Sequence, residues 1–346
     1  MADPIQYRAV RKVARLHDPR RNFELSEIES QVRYDPLTRD SARICHFAVP
    51  KREVPDLAPL VEFSTQHCPF CPQAIERITP RYPETLVPSG RMARGEALLV
   101  PNLFPYDDVS AILVMSRAHF LPMDQVPAPI VADALKLARD FIVLVAPTLG
   151  ERPAYGIVTW NYMPPAGASQ VHPHMQVIVT DTPGNALRRE LEAGALFALH
   201  YGKPFAEALA QAERSGERWL GEQGGVAWWV PYCPVGMLGD AQAVFRDRAT
   251  LSECSDTEID AFASFLTRLL AAYARLGFWS FNLSLLPDAQ STGLQRHRLT
   301  ARLLPRFYLN PKLHNSDVAY LQLLLAEKFA MVYPEVHASD LRGMLR

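Results

Sequence analysis

A run of elements written twice constrains this chain more than any single residue does. Residues 96–101 (EALLVP) and 111–116 (AILVMS) are short apolar runs set off by turn residues, the pattern of buried strands. Residues 129–149 carry Ile130, Ala134, Leu137, Ala138, Phe141, Ile142 and Val145 at helical spacing and stop at Gly150. Two more strand-like runs follow, 155–160 (YGIVTW) and 174–180 (HMQVIVT). The same order returns roughly 125 residues later: 225–231 (GVAWWVP), 241–246, a helix over 255–276, then 279–285 (WSFNLSL) and 298–305. The second helix opens on a capping box, Ser255 with Glu258, and stops at Gly277. Two halves of strand–strand–helix–strand–strand imply an α+β fold: two repeats, a mainly antiparallel sheet and flanking helices.

The rest of the chain is divided around those halves. Residues 1–60 alternate charge and proline and read as an irregular N-terminal arm with one or two short strands, such as 42–49. The first repeat then spans 61–184 and a helical connection 185–222. The second, degenerate repeat occupies 223–346 and ends in a helix expected over about 317–330. A chain of 346 residues has room for two such units.

Composition narrows the function classes. The net charge of −1 gives no broad basic field for nucleic acid, so a phosphate-bearing partner must be held by a local site. No run of about 18 apolar residues suggests a membrane span, and residues 1–21 lack the apolar core of a secretory signal. Five scattered cysteines do not form a disulfide framework, and a reducing cytoplasm is the expected setting.

Two short motifs carry chemistry. Cys68-Pro69-Phe70-Cys71 spaces two thiols so that a short turn can aim both at one metal ion. A redox pair uses the same spacing, but the prolines and His67 around it resemble a metal knuckle more than the start of a βαβ unit. In His172-Pro173-His174-Met175-Gln176 the two histidines and the glutamine share one face of an extended segment, stiffened by Pro173. The loop before it, 164–169 (PPAGAS), is rich in turn formers.

Taken together these motifs resemble the galactose-1-phosphate uridylyltransferase family, a branch of the histidine-triad superfamily. The likeness runs from about Tyr34, where residues 34–38 (YDPLT) match an N-terminal signature, and is strongest over 34–180. It implies a structural zinc held by Cys68, Cys71, His119 and His172. It also implies that His174 is the nucleophile that takes a nucleotidyl group, with Gln176 donating to the phosphoryl oxygens. By the same resemblance Asn161 and Ser169 bind the phosphates, Gly167 lets their loop approach, and Asn102 lies in the segment that holds the nucleoside, although a turn asparagine explains Asn102 nearly as well. The expected partners are a nucleotide sugar and a sugar phosphate, with no nucleic acid and no membrane, and a homodimer is implied.

Some positions depart from the family pattern. Its second metal site needs a glutamate and three histidines. Glu190 falls at the right offset, but Thr300, Arg302 and a leucine near Leu286 replace the histidines, so no iron is expected and Glu190 reads as a helix-surface carboxylate. The C-terminal hexose-recognition residues are not matched around 317–322. The expected activity is therefore transfer of a nucleoside monophosphate, UMP by the resemblance, between sugar-phosphate acceptors. The rivals are an ADP-sugar or dinucleoside-polyphosphate phosphorylase, a hydrolase of the histidine-triad type, and an inactive zinc-stabilised nucleotide-binding protein.

Overall fold

The computed structural model describes residues 4–45, 52, 54–289, 297–310 and 312–345. Its centre is one ten-stranded sheet. The first half supplies β4 (Met92–Arg94), β5 (Ala97–Pro101), β6 (Val109–Val114), β7 (Tyr155–Tyr162) and β8 (His174–Thr180). The second half supplies β9 (Trp219–Gln223), β10 (Val226–Trp229), β11 (Ala241–Phe245), β12 (Ser280–Leu286) and β13 (Thr300–Arg306). The strand order is β4-β5-β6-β8-β7-β12-β13-β11-β10-β9, antiparallel throughout. Read outward from the middle, each half repeats the other, and the halves join where β7 pairs with β12.

That junction fixes the equivalences. Tyr162 pairs with Phe281, Trp160 with Leu283 and Val158 with Leu285, so a pseudo-twofold axis passes between Trp160 and Leu283. Carried onto the neighbouring strands, this axis relates His172 to Thr300 and His174 to Arg302. The duplication expected from the element order is thus present in the pairing.

Helix α3 (Ala128–Val145) and its counterpart α6 (Asp256–Arg275) cover one face of the sheet. The capping box of α6 forms as expected, Ser255 Oγ accepting from Glu258 N and Glu258 Oε2 from Ser255 N. Strand alternation then sorts the side chains. Met175, Val177 and Val179 of β8 are fully buried beneath α3, each contributing about 1.5–3 kcal/mol of burial. Gly156 on β7 lets helix and sheet approach, since a Cβ there would lie 2.6 Å from Ile142 Cγ2. His174 and Gln176, at alternate positions, face the other way.

In the second half that other face is covered. Helices α4 (Asn185–Tyr201) and α5 (Phe205–Glu213) form the connection, and Phe205 and Leu209 pack on Ala227, Trp229 and Val244. In the first half the same face carries a cavity beside His174 and Gln176. The site is asymmetric for that reason.

Both ends of the chain differ from expectation. The N-terminal segment is not an irregular arm: β1 (Arg8–Asp18) and β2 (Glu24–Tyr34) form a long hairpin, and β3 (Ser41–Cys45) extends it. The strand expected over 42–49 is seen as far as Cys45, and 46–49 lie outside the described residues. Two helices before the main sheet, α1 (Ala58–Thr65) and α2 (Pro72–Ile78), bracket the Cys68–Cys71 turn. The helix expected over 317–330 is instead a short α7 (Tyr320–Leu324) and a strand β16 (Lys328–Ala330) parallel to β3. A small hairpin, β14 (Tyr308–Asn310) with β15 (Asn315–Ser316), precedes them, and α8 (Pro334–Leu345) closes the chain. Among the described residues no helix is long and apolar enough to cross a membrane.

Candidate active site and metal centre

The four expected ligands converge. One ligand atom each from Cys68, Cys71, His119 and His172 lies within 4.8 Å of all the others. Cys68 Sγ is 3.5 Å from His172 Nδ1, Cys71 Sγ is 3.3 Å from His119 Nδ1, and Cys71 Sγ is 3.7 Å from His172 Nδ1. A tetrahedron with metal–sulfur bonds near 2.3 Å and metal–nitrogen bonds near 2.1 Å has S···N edges of about 3.6 Å. The donor set fits such an ion.

Local sequence explains the convergence. Phe70 N donates to Cys68 Sγ across a tight turn, and Pro72 occupies the first position of α2, where its missing N–H costs nothing. The opposite ring nitrogens fix the tautomers. His172 Nε2 donates to the Ser116 carbonyl at 2.8 Å, so Nδ1 is the bare nitrogen. His119 Nε2 lies 2.9 Å from Ser64 Oγ, whose own proton goes to the Val61 carbonyl, so this ring too turns a lone pair to the sulfurs. Burial pushes His172 down to about 4, keeping it neutral, and lowers His119 as well. Burial and then neighbouring Cys68 push the Cys71 thiol up to about 11 without a cation, so metal binding would release a proton there.

His174 stands beside this cluster and outside it. Its Nδ1 donates to the His172 carbonyl at 2.8 Å. A carbonyl only accepts, so the proton is on Nδ1 and the Nε2 lone pair is unshared. Burial lowers its basicity and keeps the imidazole neutral. The ring lines a cavity of about 470 Å³ with Phe70, Asn102, Phe104, Tyr106, Ser169 and Gln176. Phe70 packs against it, ring centroids 5.2 Å apart.

Gln176 lines the same cavity, and its Oε1 accepts from the Tyr106 hydroxyl at 2.6 Å, which turns the amide NH₂ toward open space. Ser169 lines the cavity. Gly167 does not, although its φ of +81°, closing the 164–166 turn, suits glycine. Asn102 behaves as a turn residue, Oδ1 accepting from Phe104 N and Nδ2 donating to Ser110 Oγ, while also bordering the cavity. Asn161 lies on β7, where the register carried two residues past the Thr159–Gln176 pair sets it opposite His174.

The chain has the galactose-1-phosphate uridylyltransferase-like fold. A GalT-like protein of Arabidopsis thaliana superposes with a TM-score of 0.70 at 16% identity, covering 90% of this chain and 98% of that one. ADP-glucose phosphorylase of Arabidopsis thaliana, with bound ADP-glucose, gives 0.69 at 16% identity and the same coverage. A uridylyltransferase gives 0.66 at 19% identity over 91% of this chain and 98% of its own. In sequence, an uncharacterized protein of Archaeoglobus fulgidus is 29% identical over 314 residues, 90% of this chain and 91% of its own length. No protein-family model matches the chain.

One assignment needs correction. Glu190 is not a surface carboxylate: its Oε1 accepts from Arg302 Nη2 at 2.6 Å, and the two side chains are only 13% and 21% exposed. The ion pair ties α4 to β13 at the position that the pseudo-twofold axis relates to His174. His297 and His337 are buried, and Arg306 is held by Asp317. Cys233 and Cys254 are buried thiols, each pushed up to about 12 by burial. Tyr106 and Phe70 went unnoticed as site residues. For Phe70, its place between the two cysteines was the available signal.

Proposed function

We propose that this protein is a nucleotidyltransferase that carries a nucleoside monophosphate, UMP in the first instance, on His174. The supporting observation is the tautomer of that ring. With Nδ1–H committed to the His172 carbonyl, a neutral imidazole offers Nε2 to the cavity and needs no separate base. In the first half-reaction Nε2 bonds to the α-phosphorus of a nucleotide sugar. The bond from that phosphorus to the bridging oxygen breaks, and sugar 1-phosphate leaves with the electron pair. In the second, a phosphate oxygen of the acceptor attacks the same phosphorus and Nε2 leaves.

Gln176 Nε2 and the Ser169 hydroxyl would donate to the phosphoryl oxygens as charge builds, each such donor contributing about 2.7–4 kcal/mol in comparable oxyanion sites. Phe104, Tyr106 and Leu103, exposed around the cavity, offer apolar faces to a base. Cys68, Cys71, His119 and His172 would hold zinc, which in a closed four-ligand site supplies rigidity and no open coordination position. His172 then anchors the strand start from which His174 projects. Five cysteines outside any disulfide suit a cytoplasmic setting.

Product analysis tests the reading. The protein is incubated with UDP-glucose or ADP-glucose, each with galactose 1-phosphate or with inorganic phosphate. Exchange of sugar phosphates on the uridine nucleotide supports the transferase. Release of a nucleoside diphosphate only with inorganic phosphate replaces it by a phosphorylase, and turnover in water alone by a hydrolase.

A further inference from the structure

We infer that Asn282, held by Arg306 and Asp317 of the second repeat, is a positioning residue that sets Asn161 as a hydrogen-bond donor beside His174. The inference rests on the nucleotidyl-transfer reading and names residues from the half of the chain in which Thr300 and Arg302 stand where the first half has His172 and His174. Asn282 Nδ2 donates to Asn161 Oδ1 at 2.7 Å and to the Ala166 carbonyl at 2.9 Å. Asn282 Oδ1 accepts from Arg306 Nη1 at 2.6 Å. Arg306 is itself fixed by Asp317, with Nε to Oδ2 at 2.8 Å and Nη2 to Oδ1 at 2.6 Å, and Asp317 is only 4% exposed.

A side-chain amide can usually be turned end for end with little change in shape, so its polarity must be read from its partners. Here both ends are constrained. A guanidinium has no acceptor, so the Asn282 atom facing Arg306 is the oxygen. A backbone carbonyl has no donor, so the atom facing Ala166 is the nitrogen. The same nitrogen faces Asn161, which must answer with its own oxygen. Asn161 Nδ2, left without a protein partner among the described residues, is therefore turned away from Asn282. The chain Asp317–Arg306–Asn282–Asn161 transmits polarity in one direction only.

Its end point lies beside His174 by strand register, although Asn161 does not itself line the cavity. Asn161 and Asn282 are paired directly across the β7–β12 junction, and Asn161 falls opposite His174 on the next strand. An amide NH₂ there can donate to a non-bridging oxygen of the phosphoryl group on Nε2. The second bond of Asn282 pins Ala166, in the turn that leads to Ser169, so one side chain orients two elements of the phosphate site. Met163, next to that turn, has φ +68° and ψ 162°, a conformation that non-glycine residues hold only when surroundings enforce it.

Asn282→Asp tests the polarity. The carboxylate still accepts from Arg306 but has no proton for Asn161, which must then turn its NH₂ inward and its oxygen toward the phosphoryl group. Asn282→Ala merely releases Asn161. The expected order of kcat for nucleotidyl transfer is wild type, then Asn282→Ala lower by about threefold, then Asn282→Asp lower by about 30-fold or more, with KM little changed. A purely structural role would rank the near-isosteric aspartate above alanine, and that order overturns the inference. Should Asn282→Asp not fold, Arg306→Lys and Arg306→Met decide. Lysine also only donates and is expected within about threefold of wild type, methionine about tenfold down, and equal losses overturn the inference. Wild-type protein that takes no nucleotidyl label under any nucleotide sinks the parent reading and this one with it. Labelled wild type with aspartate at least as active as alanine sinks this one alone.

Discussion

Replacing Ser64 with alanine tests the metal centre without touching a ligand. Ser64 Oγ gives its proton to the Val61 carbonyl and so can only accept from His119 Nε2–H. Alanine removes that acceptor and leaves His119 free to exchange tautomers or to turn. Hydrogen bonds of this kind to metal-binding imidazoles are worth about 10–100-fold in metal affinity. His119 is only half-buried, so water can partly replace the serine, and the loss should sit near the lower end, about tenfold or 1.4 kcal/mol. Ser64→Thr keeps the hydroxyl and should stay within about threefold. Zinc affinity is read by competition against a chromogenic chelator at fixed pH. Affinity of Ser64→Ala within twofold of wild type would refute the argument, as would a loss as complete as that of Cys71→Ser.

Two further tests probe stability. Glu190→Leu strands the Arg302 guanidinium and should cost about 3 kcal/mol in urea unfolding, whereas Glu190→Leu with Arg302→Met should return close to wild type. Equal losses in the single and double variants would contradict the reading of Glu190 as the partner that neutralises a part-buried Arg302. Burial pushes His337 down to about 3, so the native protein refuses a proton that the unfolded chain accepts near pH 6.5. Stability present above pH 6.5 is then lost as pH falls toward 3, by about 2 kcal/mol at pH 5. His337→Gln, which can still accept from the Tyr273 hydroxyl, should lose that much less between pH 7 and pH 5, and identical losses in the two proteins would contradict the assignment.

What was legible in the sequence follows from what is local. The two strand–strand–helix–strand–strand halves showed because their buried faces alternate and α6 carries its own caps. The cysteine and histidine set could be named because it sits in short stretches whose geometry the neighbouring residues determine. The N-terminal sheet could not be read this way. In β1 nearly every side chain is exposed, so there is no apolar alternation, and the strand is specified by its hydrogen-bonded pairing with β2. Strand β16 is set by a parallel partner in β3, far away in sequence. Glu190 looks like any other acidic residue on a helix, and only the packing of α4 beside β13 brings Arg302 to it. The Asn282–Asn161 contact was hidden for the same reason, since it exists only where the halves meet.

The most direct measurement is brief incubation with α-³²P-labelled nucleotide sugar, followed by denaturation and mapping of the label. Wild-type protein should retain an acid-labile, base-stable phosphoramidate on the peptide carrying His174, released on adding sugar phosphate or phosphate. His174→Gly should carry none while keeping its zinc and its fold. Label on another residue, or full turnover by His174→Gly, would contradict a histidine-borne intermediate.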